Sequence, residues 1–130
     1  MARILVYTSP ARGHLFPMMA LMLELTARGH EVSVRTLASD VDLVRDHGVA
    51  AAVDPRVEAI AGDDWKTTNP REALKSAVRM FTERAQFDGE DLRAAIAQEK
   101  PDALVVDVNS WGAMTEAEAW RGVEKRPERE

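Results

Sequence analysis

The sequence predicts one α/β domain: a Rossmann-like, open and mostly parallel sheet with helices on both faces. Short apolar runs typical of buried strands alternate along the chain with helical patterns, which is the signature of parallel β-α-β units. The length of 130 residues suits a single domain. A content of 45% apolar and 30% charged residues is that of an ordinary globular protein.

The first β-α-β unit is complete by residue 37. Residues 4–7 (Ile-Leu-Val-Tyr) form a β-branched and aromatic run, which predicts a strand buried on both faces. A helix is expected over residues 15–25, with Pro17 in its first turn and Gly29 as its left-handed stop. Residues 31–37 then alternate apolar and polar side chains, as a second strand does.

Weaker elements are predicted in the middle of the chain. Asp40 is expected to cap a short helix that Gly48 ends, and residues 49–53 supply a third strand. Residues 54–69 show little periodicity and several turn formers, so we expect a long loop there. Long loops in compact domains are often functional.

The last elements follow Pro70, where Asn69 and the proline predict the start of a helix. Gly89 should interrupt it, and a separate helix is expected near residues 91–99. Residues 103–106 (Ala-Leu-Val-Val) then predict a buried strand that ends at Asp107. From residue 120 onwards the chain is almost entirely charged, which predicts a solvated tail over 120–130.

Composition excludes several classes of function. The chain has no cysteine, so disulfides, thiolate zinc sites and cysteine nucleophiles are excluded. The net charge of -5 argues against nonspecific binding to nucleic acid. The first residues lack the pattern of a signal peptide, and no apolar run is long enough to span a membrane. We therefore expect a cytoplasmic protein.

Motifs for common cofactors are missing. The loop after the first strand has only Gly13, where a dinucleotide fingerprint needs three glycines, and no P-loop triplet is present. NAD and FAD are disfavoured on this basis. No H-E-x-x-H pattern indicates a metal site, and His30 and His47 each stand beside a glycine at a helix end, as capping or turn residues do. We expect neither a cofactor nor a bound metal.

Two loops leave strands at the edge where open α/β sheets bind ligands. The first, residues 8–14, enters a helix, so His14 lies near the helix N-terminus, where the positive end of the dipole favours a neutral ring that can accept a proton. The second is Asp107–Ser110. If Asp107 reaches the other ring nitrogen, it fixes the tautomer and stabilises the imidazolium formed on reaction. From these residues alone, His14 as a loop or capping residue and Asp107 as a helix cap remain open.

Three large apolar side chains are candidates for a ligand pocket. Trp65 lies in the long loop, and Met80 and Phe81 follow it on the next helix, where they could offer a surface to a flat apolar ligand. For Met80 and Phe81, packing in the core is an equally good interpretation. The group Met18, Met19 and Met22 has helical spacing and is interpreted as core filling.

Residues 4–21 and 25–32 resemble the start of the UDP-glycosyltransferase superfamily, and most of all its bacterial macrolide and antibiotic glycosyltransferases. The shared pattern is a strand, a loop ending in Gly-His, a proline three residues later, and a helix ending in Arg-Gly-His-Glu-Val. Residues 101–107 (Pro-Asp-Ala-Leu-Val-Val-Asp) also resemble a later segment of these enzymes. Two motifs in the right order, about ninety residues apart, are more specific than either alone.

The resemblance implies the N-terminal half of a two-domain GT-B fold, in which this half binds the acceptor and the other half binds a nucleotide sugar. Such enzymes are metal-independent and invert the anomeric centre. His14 then corresponds to the general base and Asp107 to the acid that pairs with it. Acceptor contacts are expected from both loops and from the variable middle segment, namely Ser9, Arg12, Gly13, Asn109, Trp65, Met80 and Phe81.

The resemblance extends from residue 3 to about 119, so residues 1–119 are expected to form an incomplete acceptor-binding domain, without the donor-binding domain. The abrupt charged tail suggests truncation, and we expect the isolated chain to be inactive. The implied acceptor is a small hydrophobic molecule of natural-product type. The alternatives are a noncatalytic interaction module, a subunit that completes a separate donor domain or a homodimer, and a flavodoxin-like nucleotide-binding module, which the missing glycines disfavour.

Overall fold

The computed structural model describes residues 1–52, 54–60 and 66–120. Four strands within these residues form one sheet: β1 (Arg3–Tyr7), β2 (Glu31–Arg35), β3 (Ala50–Ala52) and β4 (Ala103–Val106). The α-helices of the same part of the chain are α1 (Arg12–Ala27), α2 (Val41–Asp46), α3 (Pro55–Glu58), α4 (Pro70–Glu99) and α5 (Trp111–Ala119). A 3₁₀ turn over Ala38–Asp40 precedes α2.

The strands run in the order β3-β2-β1-β4, and every pairing is parallel. At the centre, Val6 of β1 lies opposite Val34 of β2 and Val105 of β4. The strand order therefore reverses after β1, because the chain adds β2 and β3 on one side and β4 on the other. The predicted Rossmann-like α/β fold is confirmed.

Both faces of β1 are buried, which explains its unbroken apolar run. Ile4 and Val6 pack on one face with Leu15 and Met22 of α1. Leu5 and Tyr7 pack on the other face, where α4 and α5 supply Leu92, Ala95 and Ala113. Met22 is fully buried, and Met18 and Met19 are partly buried against the first of these cores, so the prediction that these methionines fill the core is confirmed.

Helix α1 begins earlier than the sequence predicts. The expected start at Leu15 with Pro17 in the first turn was wrong, since the helix starts at Arg12 and encloses Pro17 in its second turn. The carbonyl of Ala11 accepts hydrogen bonds from the backbone N–H groups of both His14 and Leu15, which draws the end of the loop into the helix. His14 consequently lies in the first helical turn rather than before it.

Helix α4 is one continuous element of 30 residues, so the predicted break at Gly89 was wrong. The glycine allows a close approach between helices instead, because a Cβ atom at this position would lie 3.1 Å from the backbone oxygen of Gly112 in α5. A glycine inside a helix costs about 1 kcal/mol relative to alanine, which packing of this kind offsets. Lys100, with a φ of 49°, ends the helix in the left-handed conformation.

The middle of the chain is more regular than predicted. The third strand is confirmed but limited to Ala50–Ala52, with Val53 outside the described residues. The predicted loop holds the short helix α3, which Asp54 caps by accepting a hydrogen bond from the backbone N–H of Arg56. The charged segment 121–130 also lies outside the described residues. None of the described helices combines the length and apolarity that a membrane crossing requires.

Candidate active site

The loops that follow β1 and β4 diverge at the carboxyl edge of the sheet. The loop after β1 enters α1, which packs on one face, while the loop after β4 enters α5, which packs on the other. These two strands are neighbours at the point where the strand order reverses, which is where open α/β sheets bind ligands. His14 lies after the first strand and Asp107 after the second.

The structure brings these two side chains into contact. The Nδ1 atom of His14 lies 2.6 Å from Oδ2 of Asp107, and the carboxylate is buried while the imidazole remains 34% exposed. An ionised carboxylate only accepts hydrogen bonds. The hydrogen-bond network therefore assigns the proton to Nδ1 and leaves Nε2 as the accepting nitrogen.

Backbone groups hold the carboxylate in place. The N–H of Ser9 lies 3.3 Å from Oδ2, and the N–H of Asn109 lies 2.8 Å from Oδ1, so each oxygen has a donor from a different loop. Asp107 is 7% exposed, and burial makes such hydrogen bonds stronger than they are in water. The carboxylate thus ties the loop after β1 to the loop after β4 and fixes the ring of His14 between them.

The free side of the His14 ring meets the side chain of Asn109. The amide nitrogen Nδ2 of Asn109 lies 3.4 Å from Nε2, at the long end of hydrogen-bond distance. An amide N–H is a donor, which agrees with an unprotonated Nε2. Asn109 is half-buried, and its amide faces the one lone pair of Nε2 at the edge of a partly exposed ring, so a ligand hydroxyl would have to displace this long contact.

The other residues predicted for the first loop have different positions. Ser9 is buried and contributes its backbone N–H to Asp107. Arg12 is directed to the buried carboxylate of Asp40, with 3.2 Å between Nε and Oδ2. Gly13 borders open space, since a Cβ atom built on it would meet nothing within 4 Å. Gly13 therefore leaves open space in the first turn of α1, next to His14 in the sequence.

An apolar wall stands beside the second loop. The rings of Phe81 on α4 and Trp111 on α5 contact each other with centroids 5.5 Å apart, and Trp111 is 38% exposed. Met80 is half-buried next to Phe81, and Trp65 lies outside the described residues. Trp111 was not predicted as a site residue, although it stands four residues after Asp107 at the start of a helix.

A buried polar network lies under this edge and was not predicted. The hydroxyl of Tyr7 donates to Oδ2 of Asp91 over 2.9 Å, and the guanidinium of Arg35 pairs with Oδ1 of the same carboxylate. Burial, followed by the charge of Asp91, raises the pKa of Tyr7 far above its ordinary value. The network connects the last residues of β1 and β2 to α4.

The two remaining histidines have structural contacts. His47 Nδ1 lies 2.8 Å from the carbonyl of Leu43 at the end of α2, and His30 Nδ1 accepts from the backbone N–H of Ala2 over 3.1 Å. Their predicted roles as capping or turn residues agree with these contacts. No cluster of three or more metal-ligating side chains occurs in the part of the chain that the structure describes.

No protein-family model matches the sequence, and the search of curated proteins found no match either. The glycotransferase of kitacinnamycin, a solved structure, aligns with 92% of this chain at a TM-score of 0.69 and 27% identity. The Streptomyces sp. SF2575 glycosyltransferase SsfS6 aligns with 86% of this chain at a TM-score of 0.63 and 26% identity. This chain has the fold of part of a GT-B glycosyltransferase.

A more distant glycosyltransferase shares the fold. The spinosyn rhamnosyltransferase SpnG aligns with 88% of this chain at a TM-score of 0.66 and 21% identity. The chain spans 28% of the kitacinnamycin structure, 35% of SsfS6 and 31% of SpnG. The similarity therefore concerns about a third of each glycosyltransferase, and the antibiotic-type enzymes expected from the sequence motifs are the ones found.

Proposed function

We propose that residues 1–119 are the acceptor-binding part of an inverting glycosyltransferase, which moves a sugar from a nucleotide-sugar donor to a hydroxyl of a small hydrophobic acceptor. The contact of 2.6 Å between His14 Nδ1 and Asp107 Oδ2, at the carboxyl edge of the sheet in a glycosyltransferase fold, is the observation that carries this proposal. SsfS6 has been crystallised with thymidine diphosphate, which supports a nucleotide-linked donor.

In this proposal the acceptor hydroxyl takes the place of the Asn109 amide, whose contact of 3.4 Å is long, and donates a hydrogen bond to Nε2 of His14. As the hydroxyl oxygen attacks the anomeric carbon, its proton passes to Nε2 and the nucleoside diphosphate leaves with the electrons of the broken C–O bond. The ring then carries a positive charge, and the buried carboxylate of Asp107 stabilises it without taking the Nδ1 proton. No step requires a metal ion.

The apolar part of the acceptor is proposed to lie against Phe81 and Trp111, beside the second loop. Aromatic side chains provide much contact area in ligand sites, and the few polar groups fix the orientation. Gly13 leaves space at the start of α1, which would let the acceptor approach the imidazole. Phe81 and Trp111 would thus bind the apolar part of the acceptor, and His14 would orient its hydroxyl.

Sugar transfer by these 130 residues alone is not expected. They span 28% of the kitacinnamycin structure and 35% of SsfS6, so a donor positioned by the rest of such an enzyme would be missing. Positioning of two reactants accounts for much of the rate of group transfer. Binding of the acceptor, rather than turnover, is therefore the property to measure.

The test is isothermal titration of the chain with a panel of hydroxylated hydrophobic aglycones and, separately, with UDP- and TDP-sugars. We expect aglycones to bind and sugar nucleotides not to bind. His14→Ala should weaken aglycone binding, whereas the matched control His47→Ala, at an exposed ring directly after α2, should not. Binding of the nucleotide sugars alone would reverse the assignment of this domain.

One observation favours a second candidate, an interaction module that completes a separate donor domain. Val108, Trp111 and Met114 are 68%, 38% and 41% exposed around the start of α5, so three apolar side chains close together in the sequence are open to solvent. This candidate predicts self-association or complex formation that depends on protein concentration. Light scattering after size exclusion, with Met114→Ser as the variant, separates it from a monomeric acceptor domain.

A further inference from the structure

Arg84 on α4 is a buried cation without a partner. The residue is 6% exposed, and its Nε is the one enclosed side-chain nitrogen or oxygen in the described part of the chain that has no hydrogen-bond partner. No ion pair joins its guanidinium to a carboxylate among those residues. Removing a charge from water without pairing it costs free energy, so a group of this kind requires an explanation.

The two nearby carboxylates are engaged elsewhere. Asp88, one turn further along α4, accepts a hydrogen bond of 2.8 Å from the backbone N–H of Ala113. Asp91 is held by Tyr7 and Arg35. Burial lowers the pKa of Arg84, and the charge of Asp88 opposes that effect without a direct contact. The guanidinium is therefore influenced by a carboxylate but not paired with it.

The position of Arg84 places it at the candidate active site. Near its end, α4 contacts β2 through Glu99 and Ser33, and eight residues earlier Asp91 contacts Tyr7, the last residue of β1. The helix thus runs from beyond the carboxyl edge of the sheet towards the amino edge. At a rise of 1.5 Å per residue, Arg84 lies about 10 Å past Asp91, beyond the carboxyl edge where His14 and Asp107 meet.

Contacts between α4 and α5 locate Arg84 more closely. Phe81, three residues before Arg84, contacts Trp111, and Asp88, four residues after it, contacts Ala113. Arg84 accordingly lies between two contacts with the first turn of α5, which directly follows the loop of Asp107 and Asn109. Phe81, whose ring is part of the proposed acceptor wall, lies about one helical turn before it on α4.

We infer that Arg84 binds an anionic oxygen of the acceptor, such as a carboxylate, while the apolar part of the same molecule lies against Phe81 and Trp111. The planar guanidinium can bind a carboxylate through two parallel hydrogen bonds, and charge-assisted bonds of this kind are strong. The inference rests on the proposed function, since it names a chemical class of acceptor. An acidic aglycone would provide the missing partner of the buried charge.

The experiment is isothermal titration with a hydroxyanthraquinone carboxylic acid and, as its neutral counterpart, the methyl ester. The acid should bind the wild-type chain about tenfold to a hundredfold more tightly than the ester, as expected for a charge-assisted hydrogen bond. Arg84→Met should lower the affinity for the acid to that for the ester and leave the affinity for the ester unchanged. Arg84→Lys keeps the charge but loses the two parallel hydrogen bonds of the guanidinium, and should keep part of the preference for the acid.

Two controls separate binding from structure. Arg79→Met removes an exposed arginine of the same helix and should keep the full preference for the acid. Without ligand, Arg84→Met should melt no lower than the wild type, because replacing an unpaired buried charge by an apolar side chain is neutral or stabilising. A lower melting temperature or a failure to fold would assign Arg84 a structural ion pair and overturn the inference.

The outcomes also separate the inference from the proposed function. If the ester binds and the acid binds no better, or if Arg84→Met keeps the preference for the acid, the role of Arg84 is wrong while the acceptor site stands. If neither compound binds to the folded wild-type chain, the proposed acceptor function fails, and the inference about Arg84 fails with it.

Discussion

The imidazole of His14 and the carboxylate of Asp107 are separated by 93 residues in the sequence and by 2.6 Å in the structure. Two backbone N–H groups, from Ser9 and Asn109, complete the environment of the carboxylate. The arrangement depends on the parallel pairing of β1 with β4, because parallel strands deliver their loops to the same edge and neighbouring strands place them side by side. The contact is thus a product of sheet topology as much as of the two side chains.

This geometry predicts the tautomers of the three histidines. His14 and His47 should carry the proton on Nδ1, since they donate to a carboxylate and a carbonyl, whereas His30 should carry it on Nε2, since its Nδ1 accepts from Ala2. Asp107→Asn should turn His14 into a mixture of tautomers, through the loss of a charge-assisted bond worth about 1.5–3 kcal/mol. Long-range ¹⁵N NMR of the rings at alkaline pH measures this directly.

His30 and His47 are internal controls in the same spectra and should not change in Asp107→Asn. A wild-type His14 with its proton on Nε2 would contradict the assigned network, because Nε2 could then not accept a proton from a hydroxyl. The same spectra of Asn109→Ala should show the Nε2 resonance of His14 shifted, since the amide at 3.4 Å would be gone, with the tautomer unchanged.

The second prediction concerns Tyr7, the only tyrosine of the chain. Its pKa is raised far above the ordinary value of about 10 by burial and by Asp91, so the folded protein should keep the phenol protonated at a pH where the unfolded chain releases the proton. Stability should therefore fall as the pH rises above about 10. Tyrosinate absorbance reports this single side chain.

We expect that absorbance to rise only together with the loss of the far-ultraviolet circular dichroism of the fold. The chain in concentrated urea is the control and should titrate near the ordinary pKa. A rise of tyrosinate absorbance while the circular dichroism is still native would show that the hydroxyl of Tyr7 is not held by Asp91 as the structure has it.

Much of this fold could be predicted because its signals are local. Buried strands such as residues 4–7 are continuous apolar runs, and a turn such as Gly29, with a φ of +86°, requires a residue that accepts the left-handed conformation. The approach of Asp107 to His14 was also expected, as a condition, because Asp107 and the loop that leads to His14 each follow a strand of one parallel sheet. Once the strand order is known, the ends of the strands show which loops lie together, even when the packing of the side chains is unknown.

The features that were not predicted depend on packing between elements that are distant in the sequence. Gly89 has the local character of a helix breaker, and only the backbone of Gly112, in another helix, explains why α4 continues through it. Arg84, Asp88 and Asp91 look like a solvated surface in the sequence, yet they are buried. Their spacing of four and three residues, continued by Leu92 and Ala95, marks one helix face, and this signal was available.

The third prediction concerns the pH dependence of stability through Asp88. Burial raises its pKa to about 6, against the opposing effect of the N–H groups of Ala113 and Gly112. The folded state then holds a proton that the unfolded chain releases near pH 4, so stability should fall by up to about 3 kcal/mol as the pH rises from about 4 to 6. Asp88→Asn, which can still accept from Ala113, should remove that slope.

Urea unfolding at a series of pH values measures the slope, and Asp54→Asn is the matched control of opposite sign. The pKa of Asp54 is lowered, chiefly by its hydrogen bond with the side chain of Arg56, so its contribution is present above the unfolded pKa and lost as the pH falls. If the slope between pH 4 and 6 persists in Asp88→Asn, it is caused by the titration of another group.

The last prediction concerns the contact between α4 and α5. A Cβ atom on Gly112 would overlap the backbone oxygen of Ala85 and crowd the carboxylate of Asp88, so Gly112→Ala must push the helices apart. We expect a loss of about 1–3 kcal/mol or more in the free energy of unfolding. Gly13→Ala is the control, since its Cβ atom would meet nothing and a helical alanine stabilises by about 0.5–1 kcal/mol relative to glycine.

Unfolding in urea gives both free energies, and titration with an aglycone gives the consequence for the site. Because α5 begins directly after the loop of Asp107 and Asn109, displacement of Trp111 should weaken aglycone binding in Gly112→Ala even below its unfolding transition. Equal stability of Gly112→Ala and Gly13→Ala would mean that the helices do not approach as closely as their glycines allow, and the position inferred for Arg84 between them would then need revision.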